Sequence, residues 1–213
     1  MEFLEIVGTV LVVAVVVAGL LWLIAKRARL GWAFWLLWVL ASAMGLLAGS
    51  FGGFVGAYGV EEILPNYGNA GMVTAVGAGV GILQWLVLRG RVSRSGWWVL
   101  ASMLGLAVAG FVSTAVELAG GPPAIPQNAA VIGFVGGALA GLMQWFVLRR
   151  QVSRAGWWVL ASTVGWAVLG LVAEGMIRRF LTFGVGLAGG VVGLGGVTGL
   201  ALVWLLRQPI PEA

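Results

Sequence analysis

Long apolar runs separated by short polar segments make up almost the whole chain. A transmembrane helix needs about 20 consecutive apolar residues, and each run has about that length. The runs interpreted as spans are residues 3–25, 32–58, 70–88, 97–119, 129–148, 157–177 and 183–206. The pattern therefore predicts an all-α membrane protein with seven transmembrane helices.

One stretch of this pattern occurs twice. The segment GILQWLVLRGRVSRSGWWVLAS (residues 81–102) returns as GLMQWFVLRRQVSRAGWWVLAS (residues 141–162), and 14 of the 20 positions in the blocks 91–110 and 151–170 are identical. The spacing divides the chain into an N-terminal helix and three two-helix hairpins, namely residues 1–30, 31–90, 91–150 and 151–213. The third hairpin is a degenerate copy followed by a short tail. Hairpins with the same in-out sense are parallel repeats, related by an axis along the membrane normal.

The repeated motifs QWxVLR and VSRxGWWVLAS resemble those of short polytopic membrane proteins of cyanobacteria and other phototrophic or filamentous bacteria. The resemblance covers residues 31–207, and it implies the hairpin repeat but no activity. The third hairpin departs from the motif, because Leu202 and Val203 stand where the other two hairpins have Gln-Trp.

The charges predict how the protein is oriented in the membrane. In the seven-span arrangement, ten of the 12 Lys and Arg residues fall on one side, whereas six glutamates fall on the other. By the positive-inside rule, the N-terminus is outside and the C-terminus is cytoplasmic. The turns between hairpins also contain candidates for binding anionic lipid headgroups or an acidic partner. These are Arg89, Arg91, Arg94, Arg149, Arg150 and Arg154.

The composition narrows the chemistry further. Hydrophobic residues make up 61% of the chain and charged residues 9%, and cysteine, histidine and aspartate are absent. Zinc sites, thiolate nucleophiles and Ser-His-Asp catalysis need those residue types. We therefore expect no catalytic residue, no metal site and no enzymatic activity, and we expect no nucleic acid as a partner.

Tryptophan and glycine have separate predicted roles. All tryptophans except Trp166 lie within about two turns of the basic segments, which is typical of an aromatic belt at the headgroup level. Glycines spaced four apart recur in the second helix of each hairpin, as in the pair Gly77 and Gly81. Such faces allow helix backbones to approach closely in lipid, so we expect them at helix contacts.

A few polar residues fall inside the predicted spans and form one layer near the cytoplasmic boundary. They are Gln84, Gln144, Ser42, Ser102 and Ser162, and at 1.5 Å per residue the layer lies about 8 Å inside the arginine turns. One interpretation is interhelical hydrogen bonding that fixes helix register. The other is a binding layer, completed by Trp85 and Trp145, for a lipid headgroup or a pigment.

Two acidic residues near the outer ends of spans are candidates for an ion or proton site. Glu117 and Glu174 lie far from the chain ends, and intramembrane acids often have functional roles. The alternative is that they are hydrated, with Glu174 paired to Arg178 one turn further on.

The function expected from these features is that of a non-catalytic scaffold or accessory subunit in a larger membrane complex, for example an energy-converting or photosynthetic one. The sequence leaves two alternatives open. One is a transporter or channel for a small molecule or lipid, with its pathway between the hairpins, and the other is a pigment- or quinone-binding protein. No cofactor is required, although a pigment or lipid is compatible with the polar layer. The expected partners are membrane lipids and other membrane subunits, in a bacterial inner or photosynthetic membrane.

Overall fold

The computed structural model describes residue 19 and residues 30–121, 129–177 and 189–208. Within these ranges the chain forms six helices that are long and apolar enough to cross a membrane. They are α1 (Trp32–Ile63), α2 (Gly68–Leu88), α3 (Trp97–Leu118), α4 (Ala129–Leu148), α5 (Trp157–Ile177) and α6 (Gly189–Leu206). The predicted all-α class is confirmed for the described residues, and the six helices are compatible with the predicted membrane protein. The first predicted span, 3–25, lies outside the described residues apart from residue 19, so the total of seven stays a prediction.

Helix α1 extends past its predicted end at residue 58, and the turn after it is fixed by one proline and one glutamate. Leu64 precedes Pro65 and is extended, with φ −129° and ψ 90°, because a residue before proline is disfavoured in the helical region. The Glu61 carboxylate then accepts hydrogen bonds from the backbone N–H groups of Asn66 at 2.8 Å and Gly68 at 2.9 Å. This carboxylate therefore caps the start of α2, where backbone donors lack partners within the helix.

The six described helices form a closed ring in which each helix packs against the previous and the next, and α6 returns to α1. Neighbours are antiparallel. A Cβ atom built on Gly45 of α1 would lie 2.6 Å from the Cα of Val80 in α2, and one built on Gly49 would lie 2.6 Å from the Cα of Val76. The α1 and α2 backbones are therefore in direct contact over several turns.

Glycines also form the contacts between hairpins. A Cβ on Gly81 of α2 would lie 2.9 Å from the Cβ of Ser102 in α3, and one on Gly141 of α4 would lie 2.8 Å from the Cβ of Ser162 in α5. On α6, a Cβ on Gly199 would lie 2.9 Å from an indole carbon of α1. The expectation that these glycines lie at helix contacts is confirmed. The close approach of α1 to α2 through its own glycines was not predicted.

Helix α6 differs from its neighbours because it contains a π-helical segment, Val192–Val197. The wider turn of a π-helix changes which backbone groups are paired. Here the indole N–H of Trp35 in α1 donates to the carbonyl of Gly196 at 3.0 Å. The hydroxyl of Thr198, directly after the segment, donates to the carbonyl of Leu194. The π-helical segment of α6 is therefore hydrogen-bonded to α1.

The turns at one end of the ring contain all seven arginines of the described ranges, and we call this the arginine end. Two turns are joined there, because the Ser93 N–H donates to the Gln151 amide oxygen at 2.6 Å and the Gln151 amide nitrogen donates to the Ser93 carbonyl at 3.0 Å. Arg207, after α6, donates to the carbonyl of Leu30 at 3.0 Å. The second and third predicted hairpins and the segment before the first hairpin therefore meet at this end.

Candidate functional site: a tryptophan and glutamine cluster

Three tryptophans fill the ring near the arginine end. Trp38 on α1, Trp98 on α3 and Trp158 on α5 are 0%, 0% and 1% exposed. Their ring centroids are 5.9 Å apart for Trp38 and Trp98, 6.0 Å for Trp38 and Trp158, and 5.1 Å for Trp98 and Trp158. Tilted and edge-to-face contacts at these distances are favourable for aromatic pairs. The three side chains, 60 positions apart in sequence, therefore form one indole cluster.

Each glutamine of the predicted polar layer links three helices around this cluster. Gln84 on α2 donates to the hydroxyl of Ser42 on α1 at 3.0 Å and accepts from the indole N–H of Trp98 on α3 at 3.0 Å. Gln144 on α4 makes the same pair of hydrogen bonds to Ser102 on α3 and Trp158 on α5, at 2.8 Å each. Both ends of each amide are therefore engaged inside the protein.

The third indole has a different acceptor. Trp38 donates its N–H to the hydroxyl oxygen of Thr198 on α6 at 2.9 Å. When the QWxVLR motifs are aligned on their final arginine, Leu202 of α6 stands at the position of the glutamine. Leu202 is fully buried. Without a glutamine beside it, the hydroxyl of Ser162 donates to the backbone carbonyl of Gly137 at 2.9 Å. A threonine four residues earlier thus replaces the glutamine as the indole's partner.

The predicted meeting of glutamines and serines is confirmed for Ser42 with Gln84 and for Ser102 with Gln144, but not for Ser162. The binding layer that includes Trp85 and Trp145 stays a prediction. Trp85 and Trp145 do not bond to the glutamines, because neighbouring residues on a helix point about 100° apart. They lie instead beneath Arg89 and Arg149, whose guanidinium carbons are 5.4 Å and 5.3 Å from the indole centroids.

The interpretation of nearly all tryptophans as an interfacial belt was wrong in part, because it included the three buried indoles. It suits Trp32, Trp97 and Trp157, which are more than half exposed. The available signal for the difference was spacing, since the three buried tryptophans alone form a complete series at 60-residue intervals.

The six arginines proposed as headgroup sites all lie in the two turns at the arginine end. Arg91 is the most enclosed: it donates to the Val87 carbonyl at 3.0 Å, and its guanidinium carbon lies 4.8 Å from the Phe34 ring centroid. Burial lowers the pKa of Arg91 from its ordinary value. Two others, Arg94 and Arg154, have left-handed backbones, with φ 55° and 60°. The other five side chains are exposed, namely those of Arg89, Arg94, Arg149, Arg150 and Arg154.

The two acidic candidates lie on α3 and α5, toward the end of the ring opposite the arginines. Glu117 and Glu174 are both half-buried, and each takes part in an interaction within the protein. The predicted partner of Glu174, Arg178, lies outside the described residues. An ion or proton site at these two glutamates stays a prediction.

The cluster's chemistry is that of a hydrogen-bonded support. Three indole N–H groups, two amides and a threonine hydroxyl are paired with one another or with serines and backbone. In the described ranges there is no group of three or more His, Cys, Asp or Glu residues that would hold a metal ion. Comparisons with protein-family models, with curated proteins and with solved structures found no match.

Proposed function

We propose that this protein is a non-catalytic integral membrane scaffold, an accessory subunit around which other membrane subunits of a larger complex assemble. The observation that carries the proposal is the indole cluster with its two glutamines. Polar side chains inside a bilayer are often reserved for a substrate or ion. Here the amides of Gln84 and Gln144 are instead used to join helices, at both their donor and acceptor ends.

A second support is the rigidity expected of such a ring. Glycine contacts bring neighbouring backbones together, as at Gly45 and Gly81, and the hydrogen bonds fix the register of helices that lipid alone would allow to slide. The lipid-facing sides of the helices are apolar, with Phe54 63% and Phe134 56% exposed. A rigid ring with an apolar exterior is suited to holding neighbours at fixed positions in the membrane.

The finer architecture belongs to the same proposal. We infer seven spans, an outside N-terminus, a cytoplasmic C-terminus and three parallel hairpins, in a bacterial inner or photosynthetic membrane. The equivalent hydrogen bonds of Gln84 and Gln144 support the parallel arrangement of the first two hairpins, because each connects its own hairpin to the next. The bond from Trp38 to Thr198 supports the third connection.

The proposal is tested by purifying the protein from native membranes in mild detergent, at its natural expression level. Co-eluting proteins are quantified by mass spectrometry, and an absorbance spectrum is recorded on the same fraction. We expect stoichiometric recovery of at least one other membrane protein and no visible absorbance. A protein recovered alone would contradict the scaffold role and favour transport assays, whereas stoichiometric bound colour would favour the pigment-binding alternative.

A matched pair of variants adds a control for the purification. Gln144→Leu removes both hydrogen bonds of one amide in the cluster, whereas Gln208→Leu changes the same side chain beyond the end of α6. We expect the first variant to recover less of the partner subunit than the second. If both variants recover the same amount of partner subunit, partner binding does not depend on the indole cluster, and the cluster does not support the scaffold role.

A further inference from the structure

A groove of about 600 Å³ opens between α3 and α4 at the arginine end. Its rim contains three arginines, Arg94, Arg149 and Arg150, and its walls include the indole of Trp97 and the ring of Phe146. Further from the rim the groove is lined by apolar side chains, which are Leu100, Leu104 and Met143. At 1.5 Å per residue, Leu104 lies about 10 Å along α3 from Trp97. The groove thus changes from cationic to apolar along the helix direction.

Contacts within the protein hold the rim in place. The guanidinium carbon of Arg149 lies 4.8 Å from the Phe146 ring centroid and 5.3 Å from that of Trp145. The double hydrogen bond between Ser93 and Gln151, both of which line the groove, joins its two sides. The rim is therefore built by both turns together, with Arg149 placed against two aromatic rings.

The third hairpin provides an internal comparison. A groove of about 390 Å³ lies between α5 and α6 and is lined by Trp157, Leu160, Ala161, Val164, Val197, Ala201 and Trp204. No arginine is among these lining residues, although Arg154 precedes α5 as Arg94 precedes α3. The two grooves share a tryptophan wall and an apolar floor, and they differ in the cationic rim.

We propose that the groove between α3 and α4 binds one anionic phospholipid of the surrounding bilayer. The phosphate would contact Arg94, Arg149 and Arg150, and an acyl chain would lie along Leu100 and Leu104. Three cations at the rim complement a negatively charged headgroup, and cations near the surface of a membrane attract anionic lipids. The size of the groove is typical of small-molecule sites.

The bilayer is the source of this ligand because the apolar floor lies on the outer side of the ring. Leu100 is 42% exposed, Leu104 47% and Phe146 53%, so these side chains face the acyl chains when the helices span a membrane. A free anion would meet the rim but would leave that floor uncovered. The proposal rests on the membrane-spanning helices and is independent of the scaffold role.

Native mass spectrometry of the purified full chain in a neutral detergent tests this proposal. The protein is titrated with phosphatidylglycerol or with phosphatidylcholine of the same acyl chains, and the apparent Kd of the first bound lipid is measured. We expect phosphatidylglycerol to bind at least tenfold more tightly. Each of the variants Arg94→Gln, Arg149→Gln and Arg150→Gln should weaken phosphatidylglycerol binding about fivefold, which corresponds to about 1 kcal/mol per cation.

Arg207→Gln is the matched control, because Arg207 follows α6 as Arg149 follows α4 but does not line the groove. It should change the Kd less than twofold. The unfolding of every variant is measured alongside, so that a loss of binding is attributed to the rim only in a folded protein. Inorganic phosphate at millimolar concentration should not displace the lipid.

Three results would overturn the proposal. The first is equal affinity for the two lipids. The second is an equal loss of affinity in Arg207→Gln and the three rim variants, which would mean that overall charge, and not the groove, attracts the lipid. The third is displacement by inorganic phosphate, which would identify a free anion as the ligand. Each result concerns the isolated chain, so none depends on whether a partner subunit exists.

Discussion

Replacing Gln144 with leucine should destabilise the protein without creating a large cavity. The amide of Gln144 donates to Ser102 at 2.8 Å and accepts from the buried indole of Trp158 at 2.8 Å. Leucine is similar in size, and Leu202 is fully buried at the aligned position of the third hairpin. The substitution therefore removes two hydrogen bonds and leaves the indole N–H of Trp158 without its acceptor.

The cost follows from these two losses. An interhelical hydrogen bond in a membrane contributes about 0.6 kcal/mol on average, and a buried donor left unpaired costs about 1–3 kcal/mol. The hydroxyl of Ser102 still donates to the Trp98 carbonyl at 2.8 Å, so it adds little. Taken together, we expect the free energy of unfolding to fall by about 2–3 kcal/mol.

The assay is equilibrium unfolding by SDS in mixed micelles, followed by far-ultraviolet circular dichroism. The control is Gln208→Leu, which should change the free energy of unfolding by less than about 0.5 kcal/mol because its amide has only one long hydrogen bond, at the end of α6. In a double-mutant cycle with Trp158→Phe, which removes the indole N–H, we expect a coupling of about 1 kcal/mol with Gln144→Leu. A Gln144→Leu variant as stable as the control, or a coupling of zero, would refute the role assigned to the cluster.

Three further predictions concern other parts of the ring. Gly49→Ala should destabilise the protein by about 1–3 kcal/mol, because its Cβ would lie 2.6 Å from the backbone of α2. Gly52→Ala should instead stabilise it by about 0.5–1 kcal/mol, because a Cβ at Gly52 meets nothing within 4 Å. SDS unfolding of both variants measures the difference. Glu61→Ala should cost about 1 kcal/mol in the same assay, because it removes the cap of α2, and a neutral result would contradict the capping role. The chain has no cysteine, so single cysteines at Glu62 and Gly156 should react with an impermeant maleimide from opposite sides of the membrane, the first from outside; labelling of both from one side would contradict the inferred topology.

The ends of the spans were predictable because hydropathy is a local property. The interpreted spans 129–148 and 157–177 coincide with α4 and α5. The end of α1 was placed too early because Glu61 interrupts the apolar run, although charge does not stop a helix. The extended residue before Pro65 is what ends it.

The site was predictable only in part, because burial depends on which side of each helix faces the ring. Trp97 and Trp98 are adjacent and identical in type, yet they are 61% and 0% exposed. The two residues lie at nearly the same depth in the membrane. They differ in the direction in which each side chain leaves the helix, because adjacent residues point about 100° apart. For the same reason the partner of Gln84 could not be identified from sequence, since Trp98 lies 14 positions away on the next helix.

Thr198 was missed because the third hairpin is out of register with the other two. Its terminal arginine, Arg207, follows Arg149 by 58 residues, whereas Arg149 follows Arg89 by 60. The π-helical segment Val192–Val197 then changes the helical phase just before Thr198. An acceptor for Trp38 on α6 could therefore not be found by extending the repeat.

Photo-crosslinking in intact native membranes tests the scaffold role most directly, because no detergent intervenes. A photoreactive amino acid is placed at one of three lipid-facing positions, Phe54 on α1, Phe134 on α4 or Leu171 on α5, which are 63%, 56% and 59% exposed. The control position is Leu106, which is 2% exposed. If the protein is a scaffold, we expect adducts with a specific second membrane protein from at least one of the three exposed positions and none from the control. Adducts with lipid alone at all three positions would contradict the scaffold role.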